Sequence, residues 1–240
     1  MKSKAKVKNN LKNFLAVKNS TETSADLYFY GDIVSEWWAK LVDDEARYPA
    51  EIRDFLDGQK GKALNVYINS GGGSVFAGMA IYNMLKRHEG KVTVHVDGMA
   101  ASIASVIALA GDEIIIPSNA YMFVHKPEAA TWGNADDMRE MAEALDRIQD
   151  GIVAVYAEHL KNPDDRDSVI EKVNAGTWMT GAEAAELFDI KVSEAAEYAA
   201  SVTDLTRSYH NIPEEVLQSV DKTDEKKENL KRLCLQGITK

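Results

Sequence analysis

The stretch INSGGGSV, Ile68 to Val75, closes a run from Leu64 to Ser70 that alternates and is rich in Val, Ile and Tyr. Alternation at period two predicts a buried or half-buried strand, and Gly71, Gly72 and Gly73 predict its end. Without a Cβ, successive backbone N–H groups can converge there on one point, which suits a bound anion or a developing oxyanion equally. A helical pattern follows from Val75 to Lys86, so the unit reads strand, glycine turn, helix. A Walker-type phosphate loop closes on Gly-Lys-Ser/Thr; Gly73, Ser74 and Val75 stand here instead, which excludes it.

A second unit repeats the plan. Val92 to Asp97 is strand-like, Gly98 permits a sharp turn, and Ala100 to Ala110 is apolar on nearly every face, as a buried helix is, with Gly111 placed to end it. Ser102 then falls in the first helical turn, near unpaired N–H groups and the positive end of the dipole. Taken alone, Ser102 and Ser105 read equally well as small packing or capping residues. A third strand, Tyr121 to His125, follows a turn at Pro117, Ser118 and Asn119 and delivers a histidine at its end. His88, His95, His159 and His210 read as capped surface residues. Cradle, hydroxyl and imidazole together are the parts of an acyl-transfer site.

Asn134 to His159 predicts a long helix. Asn134 caps it, Asp136 and Asp137 favour its first turn, and Met138, Met141, Leu145, Ile148, Ile152 and Val155 recur at spacings of three and four. Ile33 to Gln59 carries Trp37, Trp38, Ile52, Phe55 and Leu56 in a helical pattern broken near Pro49, with the two tryptophans as core anchors. The organisation expected is a lysine-rich tail over 1–24, one domain over 25–200 and a charged extension over 201–240. Within that extension, short helices are expected from Pro213 to Ser219 and from Asp224 to Leu235.

With 240 residues and 45% hydrophobic content, the chain can bury one substantial core, and the repeated strand-helix pattern predicts an α/β domain. One cysteine, Cys234, permits no disulfide within the chain, and no metal-ligand spacing is present, so neither metal nor cofactor is expected. Ala100 to Ala110 is too short to span a bilayer, and the lysine-rich start lacks the apolar core of a signal peptide; a cytoplasmic protein is expected. Net charge is −10, yet the first 18 residues hold six lysines and no acid. Without interleaved aromatics that start reads as a solvated tail, and the acidic remainder would repel a nucleic-acid backbone.

In order along the chain, INSGGGSVFAGMAIYNML, VDGMAASIASVIALAGD, MFVHKP and TWMTGAEAAELFDI resemble the blocks of the Clp protease proteolytic subunit (ClpP) family, in particular its phage and prophage branch of head maturation proteases. The resemblance covers Asp26 to Ser193, with Gly71 where proline is usual. It implies the ClpP/crotonase-like fold of repeated β-β-α units with a protruding handle helix at Asn134 to His159. It implies a serine-type endopeptidase with Ser102 as nucleophile, His125 as general base, and the N–H groups of Gly73 and Ile103 as the oxyanion hole. It also implies homo-oligomeric stacked rings, with the apolar stripe of the handle as the contact between them, and a protein substrate.

Gly176 departs from that pattern, since the family carries an acid at this position, before Thr177 and Trp178. Asn174, Glu171, Asp167 and Asp165 are the nearby groups that could orient His125; Asn174 ranks first, because an amide can hold an imidazole tautomer without supplying charge. A two-member Ser-His site is the other expectation, and a ring component without turnover a third. A crotonase-type acyl-CoA enzyme would use paired N–H groups too, but relies on carboxylates. The lysine-rich start does not match the family's ATPase-docking segment, so the resemblance implies capsid or scaffold processing in a bacterial host cytoplasm rather than an ATPase partner.

Overall fold

Alternation is realised most clearly in strand β3, Ala63–Gly73, where Leu64, Val66 and Ile68 are fully buried while Asn65 and Tyr67 are half-buried on the opposite face. The computed structural model describes residues 15–18, 20–33, 48–195 and 204–217. Trp37, Trp38, Cys234 and the helix expected over 224–235 lie outside these residues. The elements are β1 (Leu15–Lys18), β2 (Ser24–Ile33), α1 (Tyr48–Asp57), β3, α2 (Val75–Lys86), β4 (Val92–Ala101), α3 (Ile103–Ala108), β5 (Glu113–Pro117) and β6 (Tyr121–Val124). Then follow α4 (Ala135–Glu158), a 3-10 turn at Pro163–Asp165, α5 (Arg166–Ala175), β7 (Thr177–Thr180), α6 (Gly181–Leu187), β8 (Lys191–Ser193) and α7 (Asp204–Arg207).

The sheet runs β1-β2-β3-β4-β5-β8, with β6 pairing β4 and β7 off this path. All pairs are parallel except β1 with β2 and β6 with β7. Parallel pairing demands crossover connections, and the helices between strands supply them. Inside the stretch read as a tail, Leu15–Lys18 pairs with β2, which satisfies backbone groups that an open edge would leave bare. The buried face of the sheet carries the main core, including Leu27, Phe29, Val94, Val96, Val106, Ile107 and Tyr156. On the other face Tyr28, Tyr67 and His95 stack across three strands, with ring centroids 4.6 and 4.9 Å apart.

Strand β4 positions the site. Its first half pairs with β5 through Thr93–His95, and its second half with β6 through Met99–Ala101. Gly98 was expected to turn the chain, yet the strand continues through it, because pairing to β6 carries the extended backbone as far as Ala101. The turn falls at Ser102 instead, and the helix behind it spans six residues, Ile103–Ala108, rather than eleven. The long helix begins as expected: the Asn134 side chain accepts from the N–H groups of Asp136 and Asp137 while Asp137 Oδ2 accepts from Asn134 N. In its second half Ile152, Val153, Val155 and Tyr156 are buried, whereas residues 134–140 are all exposed, so the helix projects. Among the described residues no helix is long and apolar enough to cross a membrane.

Candidate active site

The carboxyl ends of β3, β4 and β6 lie side by side because the three strands run parallel. That edge is where ligands bind in open α/β sheets. Here it presents the glycine run, Ser102 and His125.

Ser102 adopts φ 55 and ψ −129, a conformation L-residues rarely take. Such backbone costs on the order of 1–3 kcal/mol and must be held by its surroundings. Ser102 N donates to Phe123 O at 2.9 Å, which ties the turn to β6. Its carbonyl accepts from Ser105 N at 3.0 Å and from Ser105 Oγ at 2.6 Å. Ser105 Oγ in turn lies 2.7 Å from the hydroxyl of fully buried Tyr156, which donates to it once the serine proton is committed to Ser102 O. A side chain on the long helix α4 thus braces the turn. The Ser102 hydroxyl does not cap α3; it points to His125, with 2.7 Å between Oγ and Nε2.

The glycine run is equally constrained. Ser70 Oγ donates to Gly31 O and accepts from Gly72 N at 3.1 Å, while Ser74 N donates to Ile33 O at 2.7 Å. Gly72 and Gly73 have φ of 93 and 143, and a Cβ on Gly72 would stand 2.6 Å from Ser102 Cβ and 3.2 Å from Ile103 N. The cradle and the nucleophile turn are therefore in direct contact, and only glycine fits between them.

His125 is shielded, its side chain 12% exposed, and stacks on Phe123 with centroids 4.9 Å apart. Burial lowers its pKa below the ordinary histidine value, and the charge of Glu128 acts weakly the other way. The imidazole is therefore neutral near pH 7 and able to accept a proton. Its Nδ1 faces Glu128 Oε1 at 3.7 Å, beyond hydrogen-bond reach, on a carboxylate that is 72% exposed. Asn174, ranked first to orient His125, sits on α5 and accepts from Gln149 Nε2 at 3.1 Å. Gly176 ends that helix in the left-handed region, φ 64, directly against His125 and Phe123.

Two neighbours of His125 carry no local sequence signal of their own. Glu128 follows three residues after His125, just past the end of β6. Tyr209 comes from beyond the expected domain boundary, in the segment 204–217, and places its ring 4.9 Å from that of His125. Beside Ser102 a small pocket opens, lined by Val75, Ile103, Val106, Pro127, Ile152 and Tyr156. Ser102, His125 and Tyr156 add polar groups to otherwise apolar walls, and the pocket has room for about one water. Among the described residues no His, Cys, Asp or Glu cluster of three or more is gathered as a metal ion would need.

A serine hydroxyl on a strained strand-to-helix turn, bonded to a neutral buried histidine beside a glycine cradle, defines a serine-hydrolase type of site. The Clp protease family model matches residues 54–188, more than half of the chain, and takes in the cradle, Ser102 and His125. The chain is 31% identical over 163 residues to the ATP-dependent Clp protease proteolytic subunit of Bacteroides thetaiotaomicron, covering 67% of this chain and 70% of that protein. It is 34% identical over 139 residues to the subunit of that name from Chlorella vulgaris, covering 55% and 69%. The chain belongs to the Clp protease family, whose members are serine-type peptidases.

Proposed function

We propose that this chain is a serine endopeptidase in which Ser102 attacks the scissile carbonyl and His125 Nε2 takes the hydroxyl proton. The imidazolium returns that proton to the leaving amine, and the Gly73 and Ile103 N–H groups hold the oxyanion. Water, deprotonated by the same histidine, then releases the acyl group. The single observation that carries this reading is the 2.7 Å bond between Ser102 Oγ and His125 Nε2 on a turn held at φ 55. Among the described residues no hydrogen bond reaches His125 Nδ1, so the site works as a Ser-His pair with a screened carboxylate, Glu128, at its edge.

Family members form stacked rings and act on protein substrates. The projecting half of α4, with Met138 42% exposed, is the surface by which rings of this chain would stack. For the substrate, the resemblance of the closing block to the phage branch supports capsid or scaffold protein cut in a bacterial cytoplasm. The names of the relatives, which call them ATP-dependent, support delivery by an ATPase instead. Gly176 favours a second reading, a ring component with little turnover.

The test is hydrolysis of fluorogenic peptides by the purified chain alone at neutral pH. Cleavage that disappears in Ser102→Ala is expected. Assembled protein that cuts nothing favours the second reading, and cleavage that survives Ser102→Ala sinks the first.

A further inference from the structure

The segment 204–217 is anchored near both of its ends. Thr206 is fully buried and Val216 is 1% exposed, the latter in a cluster with Met99, Ala101 and Phe123. Between them Trp178 Nε1 donates to His210 O at 3.2 Å. Tyr209, 138 residues from Gly71 in the chain, donates its hydroxyl to Gly71 O at 2.8 Å. Its ring lies 5.0 Å from Phe123 and 4.9 Å from His125. The three rings thus form a triangle: His125 touches Phe123, which stands two residues before it, and Tyr209 from the segment, and those two touch each other.

We propose that Tyr209 is a positioning residue which, with Phe123, fixes the His125 ring in place of the missing acid at Gly176. Three features support this over a cover that excludes substrate. Gly176 leaves His125 and Phe123 without a side chain on that side, and Tyr209 and Trp178 pack around the same Phe123 ring. The pocket beside Ser102 is lined by none of the residues 204–217. The phenol is held by the Gly71 carbonyl and also meets the Ser102 side chain, which fixes how the ring lies. Burial pushes the Tyr209 phenol up to about 12, with the Ser102 side chain acting against that rise, so it stays a neutral donor throughout the working range. The groups facing the imidazole are then Ser102 at Nε2, Glu128 at Nδ1 and the neutral Tyr209.

This inference rests on the proposed Ser-His chemistry, and its test separates the two. The full chain and its Tyr209→Phe and Tyr209→Ala variants are compared for the rate of fluorophosphonate labelling at Ser102 and for the ring resonances and pKa of 13C-labelled His125. Tyr209→Ala is expected to label about tenfold more slowly, the size of effect one ring contact supports, and Tyr209→Phe to recover most of that loss. The His125 resonances should lose the part of their ring-current shift that Tyr209 supplies and broaden as the ring samples more than one orientation, and the pKa should rise toward the ordinary value, in Tyr209→Ala alone. Should Tyr209→Ala not fold, Tyr209→Leu takes its place. Labelling as fast as in the unsubstituted chain overturns the proposal; faster labelling would make the segment a cover. If the unsubstituted chain takes no label, the enzymatic reading fails, and the resonances still decide: unchanged shifts and pKa in Tyr209→Ala overturn the positioning role.

Discussion

Gly176 lies against His125, close enough that a Cβ on the glycine would stand 3.9 Å from the histidine Cβ. Gly176 thus stands beside the imidazole, at the position where the sequence resemblance implies an acid, and offers no side chain there. At φ 64 the least strained replacements are Asn and Asp. Gly176→Asp is expected to raise the rate of Ser102 acylation by on the order of 10- to 100-fold, part of what a triad acid contributes. Its backbone strain should cost about 1 kcal/mol, read as a lower unfolding midpoint. A folded variant with no gain would show that the missing acid does not limit this site.

The cradle admits no side chain. A Cβ on Gly73 would fall 1.9 Å from Ile33 O, so Gly73→Ala must part β2 from β3 and swing its N–H away. A fall of about 10²–10³ in acylation is expected, as for loss of an oxyanion donor. Folded Gly73→Ala protein with ordinary activity would remove Gly73 from the mechanism.

Ser105 and Tyr156 brace the nucleophile turn unequally. Ser105→Ala strands a buried phenol and should cost about 1–3 kcal/mol, whereas Tyr156→Phe leaves the Ser105 bond to Ser102 O intact and should cost about 0.5–1.5 kcal/mol. Denaturant unfolding of both variants reads the order. The reverse order would mean that the hydroxyl of Tyr156 has another partner.

The base must be neutral, and burial lowers the pKa of His125. Acylation should therefore be flat through neutral pH and fall only as pH drops through a midpoint below about 6.5. The same group adds to fold stability fully above about 6.5, and that contribution is lost as pH falls toward the depressed value, where the unfolded chain binds the proton first. A midpoint above 6.5 in the labelling profile would contradict a shielded imidazole.

Much of this site is legible in the sequence because each part is local. Alternation marks β3, the Asn134 cap marks α4, and three short motifs mark the ends of three strands. What the sequence does not show depends on distant partners. Pairing with β6 carries β4 past Gly98, and no period in residues 92–110 encodes that. The strain at Ser102 is imposed by the bonds of its neighbours rather than by its own type. Asn174 sits close to Gly176 in the chain, but a helix turns side chains by about 100° per residue, and its amide meets Gln149. Tyr209 reaches His125 through tertiary packing alone.

The central claim is that Ser102 is an activated nucleophile despite Gly176. It is tested most directly by labelling the purified protein with a fluorophosphonate and locating the adduct by mass spectrometry, with Ser102→Ala and His125→Ala as controls. One adduct per chain on Ser102, absent from Ser102→Ala and lost or greatly slowed in His125→Ala, is the predicted result. No adduct on folded, assembled protein between pH 7 and 8, or an adduct indifferent to His125, would contradict it.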